Sequence, residues 1–568
     1  ATLSACGGGS SGTQDGLSGT QDDPSGTQGP AGFIAITSIS PGHSASGIER
    51  DAQISVQFSG DVLAASADTN SLQLRTNENL VPGSVTLLDT DMIGFTPDEP
   101  LNLLSVYLPK ITQQIAGIEG QVLTSELEWL FTTRDGFWRE RKVLSSGAIE
   151  NPLVIDGGDA MWGFYQRDNL FSGQNDIFVD QLSEGGDWVS AGLVSNGDND
   201  GNVAGSLNVT RLSNGDLLAV WQELAADGTD EIWYNRYDKE NMSWGDSSRV
   251  TSNDSDRRQP QLVSNQSDDV YLIFDLDDGL AGMTDIMGIR YSVADDTWLE
   301  EQLIADDLDF SLGSGQASMA MDRSGNVMVV WFADDHRMRS RFYNASLQQW
   351  DSISLFQQDN DGDTHLGSHI VVDSQGNFTA AWSQEDASFG LPFIWTNRYI
   401  PGQGWSQARQ IIGSILGYSP RMRVNKDGNI MLIYQQDVAS GDDKLLFSGF
   451  NYQQNDWTDA EFVEENEQAA SQPVLVVDSS GNFMLVWNQN RSGTYSDLNG
   501  TIFLDPPSIW ARRFDNLGDG EWLSAITISP LGGSVDKPMM AVNSSGEVMV
   551  LWMQMIDGDP TILSRYFN

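Results

Sequence analysis

From residue 135 onward the chain sorts into short runs of two kinds. Runs that are apolar at nearly every position, such as Phe483-Met484-Leu485-Val486-Trp487, alternate with mixed runs such as Ile509-Trp510-Ala511-Arg512-Arg513-Phe514. Both have the length and the β-branched and aromatic content of strands, and the apolar kind predicts a strand covered on both faces. Before it, Pro473–Asp478 forms another strand, joined through Ser479-Ser480-Gly481-Asn482, a tight turn whose glycine supplies a positive φ. The same turn glycine recurs as Gly215, Gly325, Gly376, Gly428 and Gly546.

The unit repeats eight times. A tryptophan opening a short strand stands at Trp138, Trp188, Trp244, Trp298, Trp350, Trp405, Trp457 and Trp522. A second aromatic, closing an apolar run, stands at Phe164, Trp221, Phe274, Trp331, Trp382, Tyr434, Trp487 and Trp552. Four strands repeating at a period near fifty residues predict the blades of a β-propeller, so the chain reads as all-β with an eight-bladed propeller over 135–568. Seven blades with one divergent insertion is the alternative. The first unit opens on the tryptophan strand and the chain ends, at Ile562–Tyr566, on the third strand of a unit. The strand at Trp138–Val143 is therefore expected to pair with the C-terminal strand and close the ring, removing two open edges.

Residues 33–134 carry a different pattern, with short alternating strands at Ile54–Phe58, Ser71–Arg75, Met92–Phe95 and Ser105–Leu108 that predict a small β-sandwich. Ile39-Ser40-Pro41, Val56-Gln57-Phe58-Ser59, Phe95-Thr96-Pro97 before Leu101, then Tyr107, Gly120 and Phe131-Thr132-Thr133 resemble bacterial Ig-like domains of the SbsA type. The resemblance implies a spacer or adhesion module without catalytic residues. Residues 1–32 contain Ser-Gly-Thr-Gln three times and almost no apolar side chains, the composition of a flexible tether.

Composition sharpens the picture. With 80 acidic against 30 basic residues, only six of them lysine, the net charge of −50 repels nucleic acid and anionic lipid surfaces. The acid excess resembles that of marine or halophilic proteins, and bound calcium would neutralise part of it. No apolar run reaches the roughly 18 residues of a membrane-spanning helix. The single cysteine, Cys6, excludes an intramolecular disulfide or a cysteine metal cluster. Leu3-Ser4-Ala5-Cys6 followed by glycines and serines resembles a bacterial lipobox, which implies an N-terminal lipid on Cys6. It also implies a place on the bacterial cell envelope, anchored to the outer membrane and exposed at the surface.

Few side chains stand outside the repeat. Asp359-Asn360-Asp361-Gly362-Asp363 and Asp198-Asn199-Asp200-Gly201-Asn202 place carboxylate and amide oxygens around a glycine bend, and Asp359, Asp361, Asp363, Asp198, Asp200 and Asn202 are candidate Ca²⁺ ligands. Neither loop has the glutamate that completes an EF-hand. The insertion Thr494–Pro507 is the largest in any unit, and Tyr495, Leu498, Phe503 and Leu504 on it are candidate partner-binding residues. Ser292-Val293-Ala294-Asp295-Asp296-Thr297-Trp298 distantly resembles the turn of Asp-box, sialidase-like propellers, with the serine misplaced and the glycine missing.

Arginines recur on the third strand at Arg236, Arg290, Arg341, Arg398, Arg513 and Arg565, and repetition at equivalent positions marks them as structural. Arg421 and Arg423 fall on a predicted first strand, outside any arginine clamp context. His365 and His369 are four apart, but the second begins a predicted strand, so they share no helical face and do not suggest zinc. The function expected from this reading is non-catalytic binding of a surface glycan or protein. A scaffold within an outer-membrane or extracellular assembly is the second reading, and a glycoside hydrolase or lyase the third.

Overall fold

The computed structural model describes residues 32–568 except 77–78, 159, 169–174, 196–201, 226, 252–255, 278–282, 310–316, 334–336, 358–363, 387–389, 438–442, 465–467, 491–493, 497–501, 505–506, 517–519 and 530–533. Apart from one 3₁₀ turn at Ala64–Ser66, the described residues contain no helix, so none is long and apolar enough to cross a membrane. The chain divides into two compact units. One comprises residues up to Ala45 together with Ala52–Glu99 and Tyr107–Phe131; the other comprises Ser46–Asp51, Pro100–Val106 and Thr132–Asn568.

In the first unit, Ile36–Ser40, Ile54–Phe58, Met92–Pro97 and Gly83–Asp89 form one antiparallel sheet. Leu72–Thr76, Val106–Ile111 and Phe131–Thr133 lie in a second. Strand alternation is strict where a core is built: Ile54, Val56 and Phe58 are buried while Ser55 and Gln57 between them are not. Tyr107 stacks on Phe131 at 5.7 Å, and the buried indole of Trp129 donates to the Pro41 carbonyl at 2.9 Å.

The second unit holds eight antiparallel sheets, numbered one to eight here by their first strands: Ala148–Asp156, Asn202–Arg211, Arg257–Ser264, Ser318–Met321, Thr364–Val372, Gly417–Val424, Ala470–Val477 and Val535–Val542. Each is a meander. In sheet seven, Ala470–Val477, Phe483–Gln489, Ser508–Asp515 and Glu521–Trp522 lie side by side in that order. In sheets two to seven the chain after the tryptophan strand returns to the third strand as a further strand, as at Ile526–Thr527, so the outer edge is broken in two where the sequence predicts a single strand.

First strands pack against first strands throughout. Each contacts the next in sequence, and Val535–Val542 of sheet eight contacts Ala148–Asp156 of sheet one. The fourth strand of sheet eight is Lys142–Ser146, which pairs with Asp559–Phe567 through Lys142↔Ser564 and Val143↔Leu563. A bridge between Trp138 and Phe567 extends this pairing, which the phase of the repeat predicts.

The two aromatic series have distinct tasks. All eight members of the second series are fully buried, from Phe164 to Trp552, and each fills the space between its own sheet and a neighbour. Trp221, Trp382, Trp487 and Trp552 satisfy their indole N–H with the Glu or Gln two residues on, for example Trp487 Nε1 to Gln489 at 3.0 Å. The first series opposes an aromatic of the third strand in seven of eight cases, with ring centroids 5.0 Å apart for Tyr291 and Trp298 and 5.6 Å for Tyr399 and Trp405. The exception is Trp188, which faces Leu182. Cross-strand pairs of this kind fix register as well as stability.

Two local devices repeat. The turn between first and second strands has its glycine at positive φ, from +79° at Gly325 to +95° at Gly481. In sheet three Asp268 takes that place at +61°. The backbone N–H that starts the third strand is received by a side chain further along: Ser195 for Ile177, Gln357 for Met338, Ser414 for Ile394 and Ser529 for Ile509. In sheet six the acceptor is a carboxyl, Glu464, at 3.2 Å from the Leu445 nitrogen.

Candidate functional site

Cys6, Asp198, Asp200, Asp359, Asp361, Asp363 and Leu498 lie outside the described residues. Asn202 begins the first strand of sheet two. Tyr495, Phe503 and Leu504 fall on a small hairpin, Thr494–Ser496 against Ile502–Leu504, with Tyr495 opposite Phe503. Among the described residues no group of three or more His, Cys, Asp or Glu side chains is arranged to hold a metal ion.

The third-strand arginines require a correction. Equivalent positions are expected from the sequence, but the register divides them into two sets one residue apart. Arg236, Arg290, Arg398 and Arg513 oppose the residue three before the core aromatic, at Leu218, Tyr271, Thr379 and Met484. Arg341 and Arg565 oppose the residue two before it, at Val329 and Val550. A one-residue offset reverses the face of a strand.

The first set turns to the carboxylate of its own sheet's turn and to an aromatic of the following sheet. Arg513 reaches Asp478 at 2.7 Å and covers Phe567, while Arg398 pairs with Asp373 and covers Phe450 and Tyr452. The second set bonds carbonyls of the preceding sheet: Arg341 reaches Leu303 and Ile304, and Arg565 reaches Ile528. Both sets rivet neighbouring sheets, and neither is free for a ligand. The Asp-box-like turn is rebuilt locally: Asp296, just before Thr297-Trp298, adopts φ +52°, and Ser292 bonds Asp295.

A cavity of about 1200 Å³ opens between sheets eight and one, lined in part by Arg139, Glu547, Arg565 and Tyr566. Several of its polar groups are engaged with one another or with the backbone. Tyr566 donates to Glu547 at 2.7 Å, Arg565 donates to the Arg139 carbonyl at 2.9 Å, and Arg139 reaches Asn568 at 2.6 Å.

The first strands are different. Most contain a β-bulge, with a left-handed residue at Ser206, Gln259, Gly367, Ser419, Gln472 and Lys537, followed in four cases by proline. Beyond the bulge, the residue opposite the position before the core aromatic is equivalent in all sheets: Val154, Asn208, Gln261, Ser318, His369, Arg421, Val474 and Met539. Asn208, Gln261 and Ser318 stitch their strand to the next first strand, through Pro260, Ala317 and Ile370. His369 and Arg421, on sheets five and six, do not.

Two residues further on, the equivalent positions are Asp156, Thr210, Val263, Ala320, Val371, Arg423, Val476 and Ala541, so Arg423 is basic where no other sheet has a base. His369, Arg421 and Arg423 are brought together by a close approach of the two strands. A Cβ on Gly367, at φ +108°, would lie 3.3 Å from Ser419 Cα, so only glycine lets the bulge of sheet five meet that of sheet six.

Among the described residues, neither arginine has a carboxylate partner. Arg421 donates to the Pro420 carbonyl at 3.0 Å and Arg423 to the Met422 carbonyl at 2.8 Å, each the preceding residue in the chain. Nδ1 of His369 is buried without a hydrogen-bond partner. Burial, then the charges of Arg423 and Arg421, hold the imidazole well below its ordinary pKa, so it is neutral at pH 7. Burial lowers both guanidinium values as well, and for Arg423 the charge of Arg421 adds to it. Arg421 is open to solvent although protein surrounds it densely.

Tyr418 stands on the same strand, where its hydroxyl donates to Asp443 at 2.6 Å and accepts from Gln435 at 3.2 Å. Burial and the Asp443 carboxylate raise its pKa. Phenol, amide and carboxylate side by side offer donors and acceptors to a hydroxyl-bearing ligand.

Several solved structures are similar to the chain at low identity. An ulvan lyase, described as a polysaccharide lyase, is 13% identical, with a TM-score of 0.40 over 69% of this chain and 98% of that one. A Hadza microbial sialidase is 10% identical, with a TM-score of 0.34 over 94% and 98%. A protein of unknown function from Bacteroides thetaiotaomicron is 10% identical, with a TM-score of 0.37 over 96% and 100%. No curated protein matches the sequence. Residues 33–133 match the bacterial Ig-like domain family.

Proposed function

We propose that the chain is a non-catalytic surface binding protein, in which an Ig-like domain precedes an eight-bladed propeller that binds a saccharide at the first strands of its fifth and sixth blades. The eight-bladed reading rests on the sheet order, on first strands that contact one another from sheet one to sheet eight and back, and on the pairing of Lys142–Ser146 with Asp559–Phe567. In such a ring the first strands line the central channel, which accounts for an Arg421 that is wet yet surrounded.

One observation carries the site: His369, Arg421 and Arg423 are ionisable side chains of the first strands that neither repeat nor brace the scaffold. The neighbouring Tyr418, Gln435 and Asp443 favour a ligand rich in hydroxyls over a flat protein surface. Anchoring through a lipid on Cys6 to the outer membrane, and Ca²⁺ held by Asp359, Asp361, Asp363, Asp198, Asp200 and Asn202, complete the reading. Glycan-array binding by the full chain, with and without chelator, tests it beside the Arg421→Ala/Arg423→Ala variant. Selective binding that the double substitution abolishes is expected. Retention of the full binding pattern by the variant refutes this placement of the site, and silence across the array with co-purifying proteins favours a scaffold.

A further inference from the structure

We infer that the site formed by His369, Arg421 and Arg423 recognises a single oxyanion, the carboxylate or sulfate of an acidic saccharide. This rests on the saccharide-binding reading above and narrows it.

Charge supplies the first argument. In a chain with 80 acidic and 30 basic residues, an arginine without an acidic neighbour runs against composition. Arg236, Arg249, Arg257, Arg258, Arg398 and Arg513 of the same unit all have carboxylate partners. Arg341 and Arg565 lack one too, but both are spent on carbonyls of the preceding sheet. Arg421 and Arg423 have neither a carboxylate among the described residues nor such a bracing bond, although they lie within electrostatic range of each other and of His369. Two like charges held together under dense protein are unfavourable until an anion arrives between them.

Hydrogen-bond capacity supplies the second. A guanidinium carries five N–H groups in a planar fork, and each of these arginines spends one Nη on a backbone carbonyl. The remaining donors suit the two or three oxygens of a carboxylate or sulfate. Neutral His369 adds one donor and one acceptor, and its unpartnered Nδ1 has the capacity to read a hydroxyl beside the acidic group.

The third argument limits the ligand to one anionic group at the site. A net charge of −50 opposes the approach of a polyanion, whereas a short saccharide with one acidic group meets that field weakly. Salt screens the long-range repulsion, with a Debye length falling from about 10 Å at 0.1 M to about 3 Å at 1 M, and leaves close buried contacts less affected. Binding is therefore expected to hold or strengthen as salt rises from 0.05 to ~0.5 M, the reverse of polyelectrolyte binding.

Titration calorimetry of the full chain tests the inference with three probes built on one oligosaccharide: the neutral parent, its terminal uronate and its monosulfate. The expected result is binding of an acidic probe at least tenfold tighter than the parent, with roughly a tenfold or greater loss in Arg423→Ala and in Arg421→Ala. The uronate and sulfate arms identify which acidic group is preferred. Thermal unfolding of the same variants separates recognition from packing, because removing an unpaired guanidinium leaves the melting temperature level or raises it. Equal binding of all three probes, unchanged in Arg423→Ala, overturns the oxyanion assignment and leaves saccharide binding standing. Failure of every probe, acidic and neutral alike, overturns both.

Discussion

Glu464 takes, for Leu445, the place that Ser195, Gln357, Ser414 and Ser529 hold for their third strands, and as a buried carboxyl among these neutral acceptors it has a measurable consequence. The residue is 6% exposed and accepts from the Leu445 nitrogen. Desolvation raises its pKa from 4.5 to about 7, against smaller opposing effects of the Glu464 and Leu445 backbone N–H groups and then of Lys444. Below pH 4.5 the group is protonated in folded and unfolded chain alike and costs nothing. Between 4.5 and 7 the unfolded chain ionises while the folded one holds its proton, so stability falls with rising pH. Above 7 the full penalty applies, about 3 kcal/mol for a shift of this size.

Glu464→Gln removes the ionisation and copies sheet four, where Gln357 serves Met338 at 3.0 Å. The variant is expected to match the wild type at pH 4.5 and to exceed it by roughly 2–3 kcal/mol at pH 8. Urea unfolding at both pH values, read as the difference between variant and wild type, cancels the pH dependence of the remaining carboxylates. An advantage equal at the two pH values would show that burial does not govern the proton on Glu464.

Three further outcomes follow from the packing. Arg398→Met strands the buried carboxylate of Asp373 and uncovers Phe450, so chemical denaturation should show a loss of about 3–5 kcal/mol, whereas Arg421→Met should show none. Gly367→Ala meets both a disallowed φ and the Ser419 backbone, and should cost about 1–3 kcal/mol while weakening ligand binding in calorimetry. Removal of Asp559–Asn568 exposes the edges of Lys142–Ser146 and Val548–Ile556, and light scattering should show self-association absent from the full chain.

Most of the sheet architecture was legible because its signals are local. The turn glycines, the fully apolar second strands and the two aromatic series mark each sheet within a single unit, and the phase at the two ends located the pairing of Lys142–Ser146 with Asp559–Phe567. The broken outer edge escaped notice because two-residue strands such as Ser248–Arg249 carry no periodicity. The two arginine sets differ by one residue, an offset that only pairing with the second strand reveals. The His369, Arg421 and Arg423 site was visible as residues and invisible as a site. Its members lie about fifty residues apart in sequence and meet through Gly367, a glycine whose task depends on the neighbouring strand. An aligned reading of eight first strands would have flagged Arg-x-Arg as the odd member, but bulges shift the spacing that such an alignment needs.

The pairing of Lys142 with Ser564 also sets a timetable. The two residues are separated by 422 positions, while almost every other strand pairs with one only a few residues away. Seven sheets are therefore able to assemble in order from neighbouring segments as the chain emerges, each stabilised by the one before. The eighth must wait for Asp559–Phe567, so Lys142–Ser146 remains an unsatisfied edge until those residues follow. A chaperone acting on the emerging chain has most to protect at Lys142–Ser146, the strand that waits longest for its partner.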